Sequence, residues 1–295
     1  MRQTKLKLRG LPFQAFLNIL FLALVILCVY PFYYILVYSL SDPDRAAYAF
    51  LYPIGFNLDG YRMLFQLNNI FHAAVISALR TVLGTLITVA CTSFAAYLVT
   101  EREMMWRTFV YRFFVITMYL NAGLIPWYLT MRAYGLKNNF LLYILPGAVS
   151  AYYMILTKTY IESLPESLEE SAMLDGAGYV TIFWKIILPL SKPIIATVAI
   201  YNAVNQWNSW SDNYFLVSDE NLQTLQLILY NYLNSATNLA QASTQQLEAM
   251  GASRTMTPMS IKMCITVITT LPIMCVYPFL QKHFAKGIMI GAVKG

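Results

Sequence analysis

The chain has 295 residues, of which 58% are apolar and 12% charged, about half the charge of an ordinary soluble domain. So few charges cannot cover a water-facing surface, and 22 tyrosines with 17 phenylalanines exclude disorder, which leaves the bilayer as solvent. The net charge of +6 does not indicate nucleic acid, because the lysines and arginines stand in small groups beside long apolar runs and form no basic face.

Six apolar segments reach or approach the roughly 20 residues that a spanning helix needs: 15–38, 73–99, 109–130, 140–157, 193–210 and 260–280. The expected fold class is therefore all-α, a polytopic membrane protein with six transmembrane helices. The first segment follows Arg2, Lys5, Lys7 and Arg9, as in a signal peptide, but its apolar stretch is too long and no small-residue cleavage site follows it. It reads as a retained helix after a cytoplasmic segment, 1–14, with a single transmembrane domain over 15–295. With the N-terminus inside, thirteen of the 20 basic residues and seven of the 14 acidic ones fall on cytoplasmic segments, so the whole net charge of +6 lies there. That satisfies the positive-inside rule and places both termini in the cytosol, the C-terminal tail being 281–295.

Two exterior segments are long. Residues 41–71 carry Pro43, Pro53, Gly55 and Gly60; residues 211–258 begin with a helical pattern, Leu222, Leu225, Leu229 and Leu233, before an Asn/Gln/Ser/Thr stretch. A loop of that length implies a partner outside.

No phosphate-binding GxxxxGK[ST] sequence is present, and the two histidines and four cysteines lack ligand spacing, so this chain is expected to bind no cofactor or metal. Cys28, Cys91, Cys264 and Cys275 all lie in apolar runs, where thiols act as small hydrophobes. None of the acidic residues falls inside a span, as an ion-coupled transporter would require, so energy is expected from another polypeptide.

The informative segment is the cytoplasmic loop 159–192. Ser163 with Glu166 three residues on forms a capping box, predicting a helix that starts there, runs through Leu168, Ala172 and Met173, and stops at Asp175-Gly176. A second short helix, roughly 179–187, is predicted to end at Leu188-Pro189. A generic amphipathic loop of this kind could simply lie on the membrane surface.

The spacing is more specific than that. Glu170-Ser171-Ala172, three residues ending in Asp175, then Gly176, nine residues, then Ile186-Ile187-Leu188-Pro189 resembles the EAA loop, E-A-A-x3-G-x9-I-x-L-P, of binding-protein-dependent ABC importers. Ser171 departs from the usual Ala. Tyr134 to Asn138 after Gly123-Leu124-Ile125-Pro126, Trp207-Asn208-Ser209-Trp210, and the tail 286–295 are similar to the smaller permease subunit of maltose-type carbohydrate importers, most of all the branch taking alginate and pectin-derived uronides.

The resemblance implies a type I ABC importer permease fold in a bacterial inner membrane. It implies as partners a homologous second permease subunit, a homodimeric cytoplasmic ATPase that holds the ATP and Mg, an extracytoplasmic sugar-binding protein and an oligosaccharide substrate. Glu170, Ser171, Ala172, Asp175, Gly176, Leu188 and Pro189 would carry the coupling to the ATPase. Polar and aromatic residues in the spans are candidates for a sugar path: Asn121 in the third, and Tyr201, Asn202, Asn205, Trp207 and Asn208 in the fifth, although Asn also bonds between helices and Trp and Tyr also form interfacial belts. Arg80 either snorkels to the headgroups or faces a cavity where it attracts an anionic sugar. The competing readings are a permease for a peptide or polyamine, a receptor or scaffold without an ATPase, and an intramembrane enzyme, for which paired catalytic groups are wanting.

Overall fold

The computed structural model describes residues 2–66, 68–239 and 257–291, with side chains over 13–65, 70–234, 257 and 259–275. The described residues are helical and contain no strand. The helices are α1 (Arg2–Ser39), α2 (Asp59–Gln66), α3 (Asn68–Leu98), α4 (Arg107–Tyr119), α5 (Leu124–Ala133), α6 (Ala151–Ile161) and α7 (Ser167–Leu174). They continue with α8 (Tyr179–Ile182), α9 (Leu188–Leu190), α10 (Lys192–Asn208), α11 (Ser211–Leu216), α12 (Leu225–Leu239) and α13 (Pro258–Gly291).

All six apolar segments are helical, but only Phe13–Ser39 and Ile70–Leu98 form unbroken apolar helices long enough to cross a bilayer among the described residues. The third expected span is split at 120–123 into α4 and α5. The fourth bends by 46° between Phe140–Gly147 and α6, and α10 meets the preceding Tyr179–Leu190 at 82°.

Each break has a cause in the sequence. At the fourth span Pro146 removes a backbone donor and Gly147 follows it, so 140–147 tightens into short 3-10 turns. Broken backbone inside a membrane must find other partners. The hydroxyls of Thr88 and Thr92 on α3 donate to the carbonyls of Gly147 (2.8 Å) and Ala148 (3.4 Å), Thr92 Oγ1 accepts from the Ser150 amide (3.1 Å), and Ser150 caps α6.

The chain separates into two compact units. In the first, residues 1–67 with 231–270, the segment after α1 folds back on that helix: the Asp42 amide donates to Ile54 O (2.9 Å), the Asn57 amide to Leu40 O (2.9 Å), and Ser39 Oγ lies 2.6 Å from the Tyr61 hydroxyl. Tyr38, Ala46 and Met263 form its small core. In the second, residues 68–230 with 271–295, α3 is the central strut, packed along both α10 and α6. One core sits at each end of α3: Ile76, Leu142, Tyr143 and Leu216 at one, and Tyr97, Met154, Ile182 and Phe183 at the other.

The helix expected from Leu222 onward begins instead at Leu225, with Leu222 in a preceding 3-10 turn. Thr224 Oγ1 accepts from the Leu227 amide (3.4 Å), and the Leu225 amide donates to Ser77 Oγ on α3 (2.9 Å), which fixes that start. Leu225 and Leu229 are buried as the pattern required. The Asn/Gln/Ser/Thr stretch that follows and the last four residues of the tail lie outside the described residues. Of the expected cytoplasmic tail, 281–291 continues α13 as helix.

Candidate coupling loop and buried ion pair

Residues 162–190 form a helix-turn-helix hung from the Tyr97 end of α3. The ring of Phe183 inserts against Phe94 (centroids 5.2 Å) and Tyr97 (5.5 Å), and Ile161, Ile182 and Ile187 close the cluster around them. Tyr179 Oη donates to Glu103 Oε2 (2.5 Å), and Arg102 pairs with Glu166 (3.1 Å), adding polar ties to the loop that follows α3.

The capping box is a correction. Ser163 Oγ donates back to Tyr160 O (2.6 Å), because the chain at that point is still in the last turn of α6, and α7 starts at Ser167 without a side-chain cap. The C-terminus follows the sequence. Gly176 has φ +82°, its amide donates to Met173 O (2.9 Å), and the Ala177 amide donates to Ala172 O (2.9 Å), a Schellman closure. Nothing lies within 4 Å of where a Gly176 side chain would begin. Glu170, Ser171, Asp175 and Gly176 are exposed, Ala172 and Leu188 half-buried, and Leu174 is 89% exposed at the tip.

The second helix does not end at Leu188-Pro189 as expected. It passes through Pro189 to Leu190, because a π-turn over Phe183–Ile187 widens the helix just ahead of the proline, where the ring would otherwise meet the carbonyl four residues back. The chain then turns sharply at buried Ser191 into α10.

At the other end of α3, the structure corrects the reading of Arg80. Its side chain is only 4% exposed, so it does not snorkel. It grips Asp212 with two nitrogens (3.0 and 2.5 Å), donates from Nε to Gln206 Oε1 (3.0 Å) and from Nη1 to Ser209 O (3.3 Å), and lies 4.6 Å above the Tyr143 ring. Four of its five N–H groups are thereby used, so the alternative of a free cation that attracts a sugar fails as well: its charge is matched within the chain. Asn213 extends the network by bonding the Tyr143 hydroxyl and Leu222 O. Asp212, Gln206, Tyr143 and Asn213 were not singled out by sequence. The available signal was one Arg inside a span and one Asp at the mouth of another, which a low-dielectric setting drives together.

The other sugar-path candidates do not converge. Asn121 accepts from the Gly123 amide (2.9 Å) and shapes the break between α4 and α5. On α10, Tyr201, Asn205 and Asn208 share one exposed face, with Asn205 donating to the Tyr153 hydroxyl (2.9 Å). Asn202 is buried together with Gln206, and Trp207 is half-buried.

A model of the family described as binding-protein-dependent transport system inner membrane component matches residues 7–290. The chain belongs to that family. As such it is a permease component of an ABC importer, a transport subunit and not an enzyme, which works with a partner permease, an ATPase and a binding protein. Among its relatives in Bacillus subtilis (strain 168), the polygalacturonan/rhamnogalacturonan transport system permease protein YtcP is 33% identical, covering 93% of this chain and 95% of that protein. Protein LplC from the same strain is 36% identical, covering 94% of each chain. The permease also resembles a chain in the crystal structure of a bacterial ABC transporter involved in the import of the acidic polysaccharide alginate, with a TM-score of 0.84 at 27% identity over 93% of this chain and 97% of that one.

Gly84 lies where a Cβ would stand 2.7 Å from Gln206 Nε2, and Gln206 is held by Arg80, so it cannot swing away freely. Gly84→Val is expected to destabilise the permease by about 1–3 kcal/mol through overpacking, seen as a lowered melting temperature in detergent, whereas Gly178→Ala, at an ordinary φ of −78°, meets no atom. On α7, burial pushes the Glu169 carboxyl up to about 7, with the adjacent Glu101 charge adding to it. An unfolded glutamate releases its proton near 4.5, so as pH rises the unfolded loop deprotonates first and the folded loop loses stability from about 4.5 to 7, then no further. Exchange protection at Gly176 and Ala177 should fall over that window and stay level in Glu169→Gln; an unchanged slope in the variant would remove Glu169 as its source.

Proposed function

We propose that this permease carries acidic oligosaccharides, uronate oligomers of the alginate or polygalacturonan kind, delivered by an extracytoplasmic binding protein. The observation that carries the reading is the agreement of two independent likenesses: a relative named for polygalacturonan/rhamnogalacturonan transport and a structural neighbour from an importer of the acidic polysaccharide alginate. The ATPase is a homodimer whose one copy receives α7, with Glu170, Ser171, Ala172, Asp175 and Gly176 at the contact and Leu188 and Pro189 holding the second helix. In this reading both termini and the 159–192 loop lie in the cytosol and 211–258 faces outward, which the distribution of basic residues supports.

Tyr201, Asn205 and Asn208 offer ring stacking and hydrogen bonds on one exposed face of α10, which suits a sugar. The acid-specific recognition rests with the binding protein or the second permease, since the Arg80 charge is already matched by Asp212. ATP hydrolysis by the reconstituted complex should rise with binding protein loaded with a uronate oligomer and stay basal with a neutral oligomer or a peptide. Stimulation by peptide alone would overturn the assignment.

A further inference from the structure

A shallow concavity of about 730 Å³ lies where α4 begins, lined by Arg102, Trp106, Arg107, Thr108, Phe109 and Arg112 among others, with no acidic residue in its wall. Arg112 makes no hydrogen bond or ion pair among the described residues, and Arg107 uses one nitrogen on Thr100 O (3.1 Å). Arg102 holds Glu166 but remains 77% exposed. The first turn of α4 has no side-chain cap and no acidic residue, so Thr108 and Phe109 bring uncapped amides to the same concavity. Two cations with no carboxylate partner among the described residues, Arg107 and Arg112, and a helix N-terminus therefore line a space whose described wall holds no acidic residue, with the Glu166-paired Arg102 at its edge.

Two further observations specify the anion. Trp106, the residue before α4, sits at φ +64°, a left-handed conformation unfavourable for a bulky side chain, and leaves its indole 72% exposed beside the arginines. An indole in that position belongs at the level of lipid headgroups. From the concavity an apolar stripe runs along α4: Phe109, Phe113 and Ile116, at helical spacing on one face, are 65%, 56% and 56% exposed.

We propose that this concavity binds the phosphate of an anionic phospholipid, with its acyl chains lying along Phe109, Phe113 and Ile116. The proposal rests on the membrane-permease reading above but on none of the sugar assignment. A basic pocket beside a spanning helix, on the positively charged side, has the chemistry that retains anionic headgroups, and the stripe distinguishes a lipid from free phosphate.

The test uses the complete complex of both permeases and the ATPase, stripped in neutral detergent and titrated with phosphatidylglycerol or with phosphatidylcholine of the same chains, bound lipid being counted by native mass spectrometry. One phosphatidylglycerol per copy of this subunit is expected, bound at least tenfold tighter than phosphatidylcholine. Arg107→Gln with Arg112→Gln should lose that preference, and Arg107→Lys with Arg112→Lys should keep most of it. A photo-reactive phenylalanine analogue at Phe113 should yield a lipid adduct. Equal retention of both lipids, an unaffected glutamine pair, displacement by glycerol phosphate at equal concentration, or an adduct at Phe113 with the second permease would each overturn the proposal. Stimulated ATP hydrolysis in the same variants separates a failure of this site from a failure of the transport reading.

Discussion

Arg80→Gln is expected to destabilise the permease by about 3–5 kcal/mol, because it leaves the Asp212 carboxylate, 13% exposed, without the cation that two nitrogens now supply. Asp212→Asn should cost a similar amount from the other side, stranding the guanidinium over the Tyr143 ring. Replacing both at once, Arg80→Met with Asp212→Leu, should recover most of the loss, since buried pairs are held by mutual need more than by net stabilisation. The double variant will still lack the bonds to Gln206 and Ser209, so recovery should be incomplete. Thermal unfolding of the detergent-purified complex reads all three, and uptake by any survivor should fall equally for acidic and neutral sugars. Single variants that melt like the parent would show that the pair carries no weight in the fold.

The second large effect is expected at Gly176. Its φ of +82° is closed to proline, whose ring fixes φ near −65°, and proline also removes the amide that bonds Met173 O. Gly176→Pro should abolish substrate-stimulated ATP hydrolysis while the complex still assembles in the membrane. The graded series is more telling than the single loss. Gly176→Ala meets no neighbouring atom, so it should cost only the left-handed backbone penalty, about 1–2 kcal/mol, and Gly176→Asn less still. Stimulation should therefore decline in the order Gly, Asn, Ala, Pro. A series in which Pro is tolerated, or Ala is as damaging as Pro, would mean that the turn geometry does not set the position of α7. Glu170→Lys, which reverses an exposed charge without touching the turn, is expected to lose stimulation with an unchanged melting temperature.

The sequence was legible where a single local rule decides. Gly176 ends α7 because only a left-handed residue closes that helix, and the apolar segments became helices because hydrocarbon leaves the backbone no other partner. It misled where two local rules competed. Ser163 and Glu166 have the spacing of a cap, but the end of α6 reached Ser163 first. Pro189 reads as a stop, yet a π-turn beginning at Phe183 carries the helix past it. Long-range pairing was hidden altogether: Arg80 and Asp212 are 132 positions apart, and their meeting depends on how α10 packs along α3. The helical period turns Asn202 about 100° away from Tyr201, but that Asn202 is the buried one of the two depends on how α3 and α6 pack against α10.

We propose that the helix Ser167–Leu174 delivers the work of an ATPase to the spans. The most direct test is a photo-reactive side chain in place of Ser171, irradiated in membranes containing the whole importer, with Tyr214 as the comparison site. An adduct with the ATPase is expected from position 171 and none from position 214, with a changed yield when non-hydrolysable nucleotide closes the ATPase. Absence of an ATPase adduct at 171, or its appearance at 214, would contradict both the docking role of the loop and the orientation of the chain.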